Sequence, residues 1–269
     1  TTDEVLEGVD LTGRRVLITG AAVGLGRETA RAMAAHGAEV TILARSAERA
    51  AEGAAAVATL VPGASVGAGV VDLGSLASIN AFADGWLADH DAFDVLINNA
   101  GVMACPFGHT ADGLETQFGT NHLGHFLLTA RLAPALLQGD ASRVVPLSSA
   151  GHSRCDVDLD DPNFDHTEYS AWIAYGRSKT ANALFARELA RRAGDRGLLS
   201  YSVHPGAIIT DLGRHLTEEL MNEMMETAKE RAEEHGIEGG IIWKSVEAGA
   251  ATQVWGATST DAELLAHNG

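Results

Sequence analysis

Tyr175 and Lys179 stand four residues apart in Tyr175-Gly176-Arg177-Ser178-Lys179, a run that opens a strongly helical segment. Residues at that interval share one helical face, so a phenol and an ammonium can reach the same ligand. A free phenol ionises near about 10, too high for a base at neutrality; a neighbouring ammonium favours the phenolate and is expected to lower that value. The pair suits proton exchange with an oxygen on a reacting carbon. Because Y-xxx-K spacing is common by chance, its surroundings decide its weight. Ser148-Ser149 ends a β-branched run, where a hydroxyl can hydrogen-bond a substrate oxygen. Asn98-Asn99-Ala100-Gly101 ends another such run, and His204-Pro205-Gly206-Ala207-Ile208-Ile209-Thr210 a third. Asn121 falls inside a helical stretch, where propensity disfavours it and another role is implied.

A second constellation precedes these. Thr19-Gly20-Ala21-Ala22-Val23-Gly24-Leu25-Gly26 lies between the first strand-like run and the first helical one. Glycines let backbone approach a pyrophosphate, which then meets the unpaired N–H groups of a helix start. The spacing is G-xxx-G-x-G, and its position makes Gly20, Ala22, Val23, Gly24 and Leu25 candidate dinucleotide ligands. After the second strand the sequence reads Ala44-Arg45-Ser46, with no acid to hold a ribose 2′-hydroxyl. A guanidinium there would pair with a 2′-phosphate, so NADP(H) is expected, with NAD(H) as the alternative. Asp72-Leu73 closes the third strand, where it would meet the adenine or, for Asp72, act as a helix cap.

These residues need a scaffold that gathers strand ends on one edge. Strands are expected at Arg15–Thr19, Glu39–Leu43, Val66–Val71, Phe93–Asn98, Arg143–Leu147 and Leu199–Val203. Helices fall at about Leu25–His36, Ala47–Leu60, Ser75–His90, Gly113–Leu137 and Tyr175–Ala193. Alternating units of this kind build a doubly wound parallel sheet, a three-layer αβα Rossmann-type single domain with ligands at the carboxyl edge. A further strand is expected after Ala248–Trp255, yet none is convincing up to Gly269. Pro146 removes a ladder donor in an inner strand, so a bulge near Ser149 is expected. Ser153–Trp172 reads as an acidic, solvated insertion. Thr210–Gly240 reads as a Met- and Glu-rich lid with Met221, Met224 and Met225.

In order and spacing, from about Leu11 to Leu212, the motifs resemble the short-chain dehydrogenase/reductase family. Asn98–Met103, Thr120-Asn121-His122-Leu123-Gly124-His125-Phe126 and the stretch from Ser149 to Tyr175 are most similar to the branch containing retinol dehydrogenases and WW-domain oxidoreductases. They are also similar to bacterial alcohol dehydrogenases that accept bulky secondary alcohols and ketones. The resemblance implies Tyr175 as acid and base, and Lys179 as ribose ligand and modulator of the phenol. It implies Ser149 as holder of the substrate oxygen, and Asn121 as keeper of a relay water beside Lys179. Asn99, Ala100 and Gly101 would line the cofactor ribose. Thr210 would bind the carboxamide, with Pro205, Gly206 and Ile208 shaping that wall. No metal is required.

The formal charge of -17, from 19 basic against 36 acidic residues, disfavours nucleic acid and anionic membranes as partners. The unspaced pair Cys105 and Cys155 suits a reducing cytoplasm. The stretch Thr1–Asp10 has no signal-peptide pattern, and no transmembrane run is present. Met103, His152, Trp172 and Leu212 are expected to line a roomy apolar pocket. Its occupants stay open among bulky secondary alcohols, aryl ketones, steroids and retinoids. A homodimer or homotetramer is expected. The rival from another class is a non-catalytic NADP(H)-sensing or scaffold protein on the same fold.

Overall fold

A computed structural model of the chain describes residues 1–234 and 241–269. Six short runs rich in Val, Ile and Leu form one parallel sheet: β1 Arg15–Thr19, β2 Glu39–Ala44, β3 Val66–Val70, β4 Val95–Asn98, β5 Arg143–Pro146 and β6 Leu199–Ser200. Their order is β3-β2-β1-β4-β5-β6, so the chain winds outward in both directions from β1 and β4. Helices follow the strands: α1 Thr2–Val5 at the start, then α2 Gly24–Ala35, α3 Ala47–Leu60, α4 Leu76–Asp89, α5 Thr116–Phe118, α6 Gly124–Leu136 and α7 Ala171–Ala193.

Strand alternation divides the core. Val16, Ile18, Val40, Ile42, Val95, Ile97 and Val145 point to one face with Ala30, Met33 and Val254. Leu17, Leu43, Leu96 and Val144 point to the other, against Ile79, Leu128 and Leu132. Serines start the helices: Ser46, Ser75 and Ser170 each accept from the backbone N–H three residues on.

The structure moves several sequence boundaries. α7 begins at Ala171, so Tyr175 lies one turn inside it. The helix expected over Gly113–Leu137 is broken by a π-helical turn at Gly119–Leu123. β6 keeps two residues, and beyond them Tyr201 N–H still donates to Val144 O and Val203 N–H to Pro146 O, both at 3.1 Å, with a bridge between Leu147 and Val203. Pro146 makes no bulge: it pairs in register with Asn98. Leu147 N–H donates to β4 (Asn98 O, 3.1 Å), and Ser148 N–H donates to the other side (Val203 O, 2.9 Å). By that alternation the proline nitrogen faces the β6 side, where its missing N–H leaves the ladder one bond short.

No seventh strand joins this sheet among the described residues. Asn268 Oδ1 accepts from Ser200 N–H at 2.8 Å, and Gly269 N–H donates to Ser200 O at 3.1 Å on the outer edge of β6. A separate parallel pair, β7 Ala207–Ile208 with β8 Trp243–Lys244, was not legible in the sequence. α8 Glu218–Glu234 occupies most of the expected lid, whose residues 235–240 lie outside the described residues. α9 Val246–Thr258, capped by Ser245, and α10 Ala262–Ala266 follow.

The acidic insertion keeps Asp156, Asp160 and Asp165 in solvent, as expected, but turns one acid inward. Asp161 is buried and its carboxylate accepts from the backbone of Asp165, His166 and Thr167 and from the Thr167 hydroxyl. Arg177, on α7, donates to Asp161 O at 2.8 Å and Asp158 Oδ2 at 3.0 Å, and stacks over Phe164. An arginine between Tyr175 and Lys179 therefore anchors the middle of the insertion, while Thr180 Oγ1 donates to Cys155 O and Gln117 Nε2 to the Tyr169 hydroxyl nearer its ends.

Gly124 marks a close approach, because a Cβ there would overlap the Leu73 carbonyl oxygen. Gly124→Ala is expected to destabilise the fold by about 1–3 kcal/mol, the range for overpacking. Thermal or urea unfolding measures it; an unchanged midpoint contradicts the assignment.

Candidate active site

The carboxyl ends of β1, β4 and β5 meet in one cleft. Gly20 takes φ 65, and a Cβ on it would lie 2.8 Å from Ala100 Cα, so only glycine lets the two strand ends close up. Ala100 N–H donates to Thr19 Oγ1 at 3.0 Å. Asn99 Nδ2 donates to Thr19 O at 2.8 Å and Gly20 O at 3.3 Å, so its amide holds the turn rather than lining a ribose.

α2 differs from the helices around it. Val23 is its N-cap residue, with no side-chain cap bond. The first N–H groups of this helix are left for an outside acceptor, while serines serve those of α3, α4, α7 and α9. The backbone of Gly24 and Leu25 follows at once. Thr210 reaches over this turn: its γ-methyl lies 3.7 Å from a Cβ built on Gly24. Ile208 and Leu25 meet where Gly249 leaves room. Pro205 O accepts from Lys244 Nζ at 3.4 Å, and Gly206 at φ 96 lies under the lysine methylenes. The donor set suits a pyrophosphate.

Ala22 packs against α3, near Gly53. Arg45 is exposed at the end of β2 and forms no ion pair among the described residues. Asp72 is no helix cap; its carboxylate accepts from Gly74 N–H in a local turn, and Ser75 caps α4. Leu73 is buried beneath the start of α6.

α7 carries the phenol and ammonium into this cleft, Tyr175 at 4% and Lys179 at 5% exposure. Gly151 backs the phenol: a Cβ there would fall 2.9 Å from the Tyr175 ring and 3.6 Å from Ser149 Oγ. Ser149, not Ser148, faces the site. Ser148 is buried and donates to Lys179 O at 2.8 Å, while Ser149 starts the 3-10 turn Ala150–Arg154.

The expected lowering of the phenol is not what this geometry gives. Burial pushes Tyr175 up to about 12, with Ser149 acting the other way. Burial pulls Lys179 down to about 8. The ammonium points to the ring, 5.4 Å from its centroid, and donates to Leu147 O at 3.0 Å.

Asn121 sits in the π-helical turn, which removes the puzzle of an Asn in a regular helix. Its side chain holds the loop after β4: Oδ1 accepts from Val102 N–H at 2.8 Å, and Nδ2 donates to Val102 O at 2.9 Å and Ser178 Oγ at 3.0 Å. The side chain thus clamps this loop. Gly101 faces both groups, its Cβ position lying 3.3 Å from Asn121 Oδ1 and 3.8 Å from Lys179 Nζ.

Around Tyr175 an apolar wall forms from Ala104 and Trp172, with Met103, Leu216, Leu220 and Met224 packed against it. Met103 and Trp172 sit where the sequence placed them. Leu212 and His152 do not join the wall; His152 is exposed and its Nδ1 donates to Ser149 O at 2.6 Å. The lid contributes Leu216, Leu220 and Met224, one face at four-residue spacing, rather than Met221 and Met225. Arg154 fastens that lid: it pairs with Glu223 at 3.0 Å, donates to Thr227 Oγ1 at 3.1 Å and lies over Trp172.

Sequence reasoning missed His125, Asn182 and Arg154. Asn182 lies three residues after Lys179, and His125 four after Asn121, so helical spacing alone could have flagged both.

Comparison with known proteins agrees with this geometry. The short chain dehydrogenase family profile matches residues 14–158. Human retinol dehydrogenase 12 is 44% identical over 207 residues, 77% of this chain but 65% of that protein, so the match spans under two thirds of its length. An oxidoreductase of Streptomyces lividans is 44% identical over 217 residues, 79% of this chain and 70% of that protein. Among solved structures, a Mycobacterium paratuberculosis protein superposes with TM-score 0.72 at 35% identity, covering 94% of this chain and 79% of that one. A Beutenbergia cavernae protein holding NADP at low occupancy superposes with TM-score 0.70 at 25% identity, covering 96% of this chain and 94% of that one. With more than half its residues in the family profile and close relatives across most of its length, the chain belongs to the short-chain dehydrogenase family.

Proposed function

We propose that this protein moves hydride between NADP(H) and bulky hydrophobic secondary alcohols or ketones, with Tyr175 as acid and base. The observation that carries the reading is the Tyr175 hydroxyl set beside Ser149, between an uncapped helix start and an apolar wall. The bound dinucleotide supplies or accepts the hydride. The exposed guanidinium of Arg45 is the group that would take the 2′-phosphate. NADP in the Beutenbergia cavernae structure supports that cofactor. In ketone reduction, Ser149 and Tyr175 hydrogen-bond the oxygen as its charge grows, and Tyr175 hands over its proton. A phenol near 12 is fully protonated at neutrality, hence ready as an acid.

The wall of Met103, Trp172, Leu216, Leu220 and Met224 supports a large apolar substrate, and adaptable Met side chains suit varied shapes. The retinol dehydrogenase relatives favour a retinoid as the second reading within the same chemistry. Both cysteines are free thiols, which supports a reducing cytoplasm as the place of action.

Tyr175→Phe is expected to lower ketone turnover by roughly 10²- to 10⁴-fold, the range for a lost general acid. Wild-type turnover by that variant would contradict the reading and favour a non-catalytic role. Lys179 has a depressed value near 8, so its charge is present below that pH and lost above it. kcat/KM for reduction should therefore hold through neutrality and fall above about pH 8. A profile flat to pH 10 contradicts a role for the ammonium. Arg45→Asp should raise the KM for NADPH by tenfold or more, roughly the loss of one charge-assisted contact, and improve NADH. An unaltered NADPH:NADH ratio removes Arg45 from the cofactor site. A panel of ketones graded in size tests the pocket: turnover of small ketones alone defeats the bulky-substrate reading.

A further inference from the structure

We infer that His125 is a positioning residue that ties the dinucleotide-binding turn to the helix carrying Tyr175 and Lys179, through a hydrogen-bonded chain with one fixed polarity. The inference rests on the function proposed above.

His125 lies on α6 at 1% exposure, deep between β1 and the π-helical turn. Its Nδ1 is 2.9 Å from Asn121 O, and a carbonyl can only accept, so Nδ1 carries a proton. Burial drives the imidazole down to about 3, so the ring is neutral and Nε2 is bare. Nε2 therefore accepts the Thr19 hydroxyl at 2.8 Å. With its proton so directed, Thr19 Oγ1 keeps lone pairs for Ala100 N–H at 3.0 Å.

The Asn121 carbonyl continues the chain. It also accepts from Asn182 Nδ2 at 3.2 Å, and the same amide donates to Leu147 O at 3.0 Å. Asn182 cannot be flipped, because both its neighbours at Nδ2 are carbonyls; its Oδ1 faces His122 Nδ1 at 3.2 Å. Leu147 O is the acceptor that Lys179 Nζ uses at 3.0 Å. The path thus runs from Ala100 through Thr19, His125, Asn121 and Asn182 to the carbonyl holding the ammonium.

Both clamps on the loop after β4 belong to it. Thr19 holds Ala100, and the Asn121 side chain holds Val102. His125 joins the residues that make them. An apolar side chain would fill the same space without directing the Thr19 proton or fixing the Asn121 carbonyl.

The test compares wild type with His125→Leu, His125→Gln and Thr19→Val. NADPH affinity is followed by fluorescence, and steady-state kinetics use an aryl ketone. His125→Leu should lower kcat by roughly ten- to a hundredfold, the scale of small misplacements, with ketone KM within about twofold and weaker NADPH binding. His125→Gln, whose amide oxygen reaches the Nε2 position and can accept from Thr19, should recover part of the loss. Thr19→Val, which removes one link and no volume, carries the same expectation and decides the matter where His125→Leu folds poorly. Wild-type kcat and NADPH affinity in His125→Leu, or a glutamine no better than leucine, overturns the inference. The imidazole ¹⁵N shifts of His125 in the ligand-free protein give a readout independent of activity. A protonated Nδ1 with bare Nε2 is expected, and the opposite tautomer overturns the chain. A wild type that shows this tautomer but binds no NADPH would sink the proposed function and leave the polarity of the chain standing.

Discussion

An ammonium taken almost wholly out of water needs an oxygen to donate to, and Lys179 finds one in the Leu147 carbonyl at the end of β5. Much of the site depends on that constraint. Leu147 N–H donates to Asn98 O, so its carbonyl faces the β4 side; β4 ends at Asn98 and Ala100 N–H turns to Thr19 Oγ1, which leaves that oxygen to the lysine. Pro146 turns its nitrogen to the β6 side, and Val203 N–H still bonds its carbonyl at 3.1 Å. Had β4 continued, its next N–H would have engaged the Leu147 carbonyl in the ladder.

Burial then sets the chemistry of the two groups in opposite senses. The phenol is held up and the ammonium pulled down, so both favour their neutral forms more than they would in water. The protonated phenol is the form that can donate to a ketone oxygen, and the lysine still carries charge at neutrality. The apolar wall that desolvates Tyr175 is also the surface against which a large substrate would rest. One feature of the fold thereby tunes the acid and shapes the pocket.

Arginines help pin the segments over the site. Arg177 ties the acidic insertion to α7 by gripping Asp158 and the Asp161 backbone, and Arg154 ties α8 to the loop after Ser149. In a chain with 19 basic and 36 acidic residues, these cations connect acidic segments that would otherwise repel one another. Arg177 lies between Tyr175 and Lys179 in sequence, so the helix that presents the reacting groups also organises the wall around them.

The sequence by itself determined the six parallel strands, the phosphate turn and the Tyr175–Lys179 face. Each is a local pattern: apolar alternation, glycines at a strand-to-helix corner, and spacing on one helix. It also put Ser149 and Met103 beside Tyr175, because both lie in loops that follow strands at the carboxyl edge. Tertiary structure decided what depends on distant partners. The direction of the Tyr175 shift follows from burial and from where Lys179 points. The task of Asn121 follows from a π-helical turn that propensities do not encode, and the lid face follows from which side of α8 meets Trp172. Spacing could flag His125 and Asn182 but not their roles: a buried polar side chain acquires its role from the carbonyls and hydroxyls that close around it, 106 residues away in the case of Thr19.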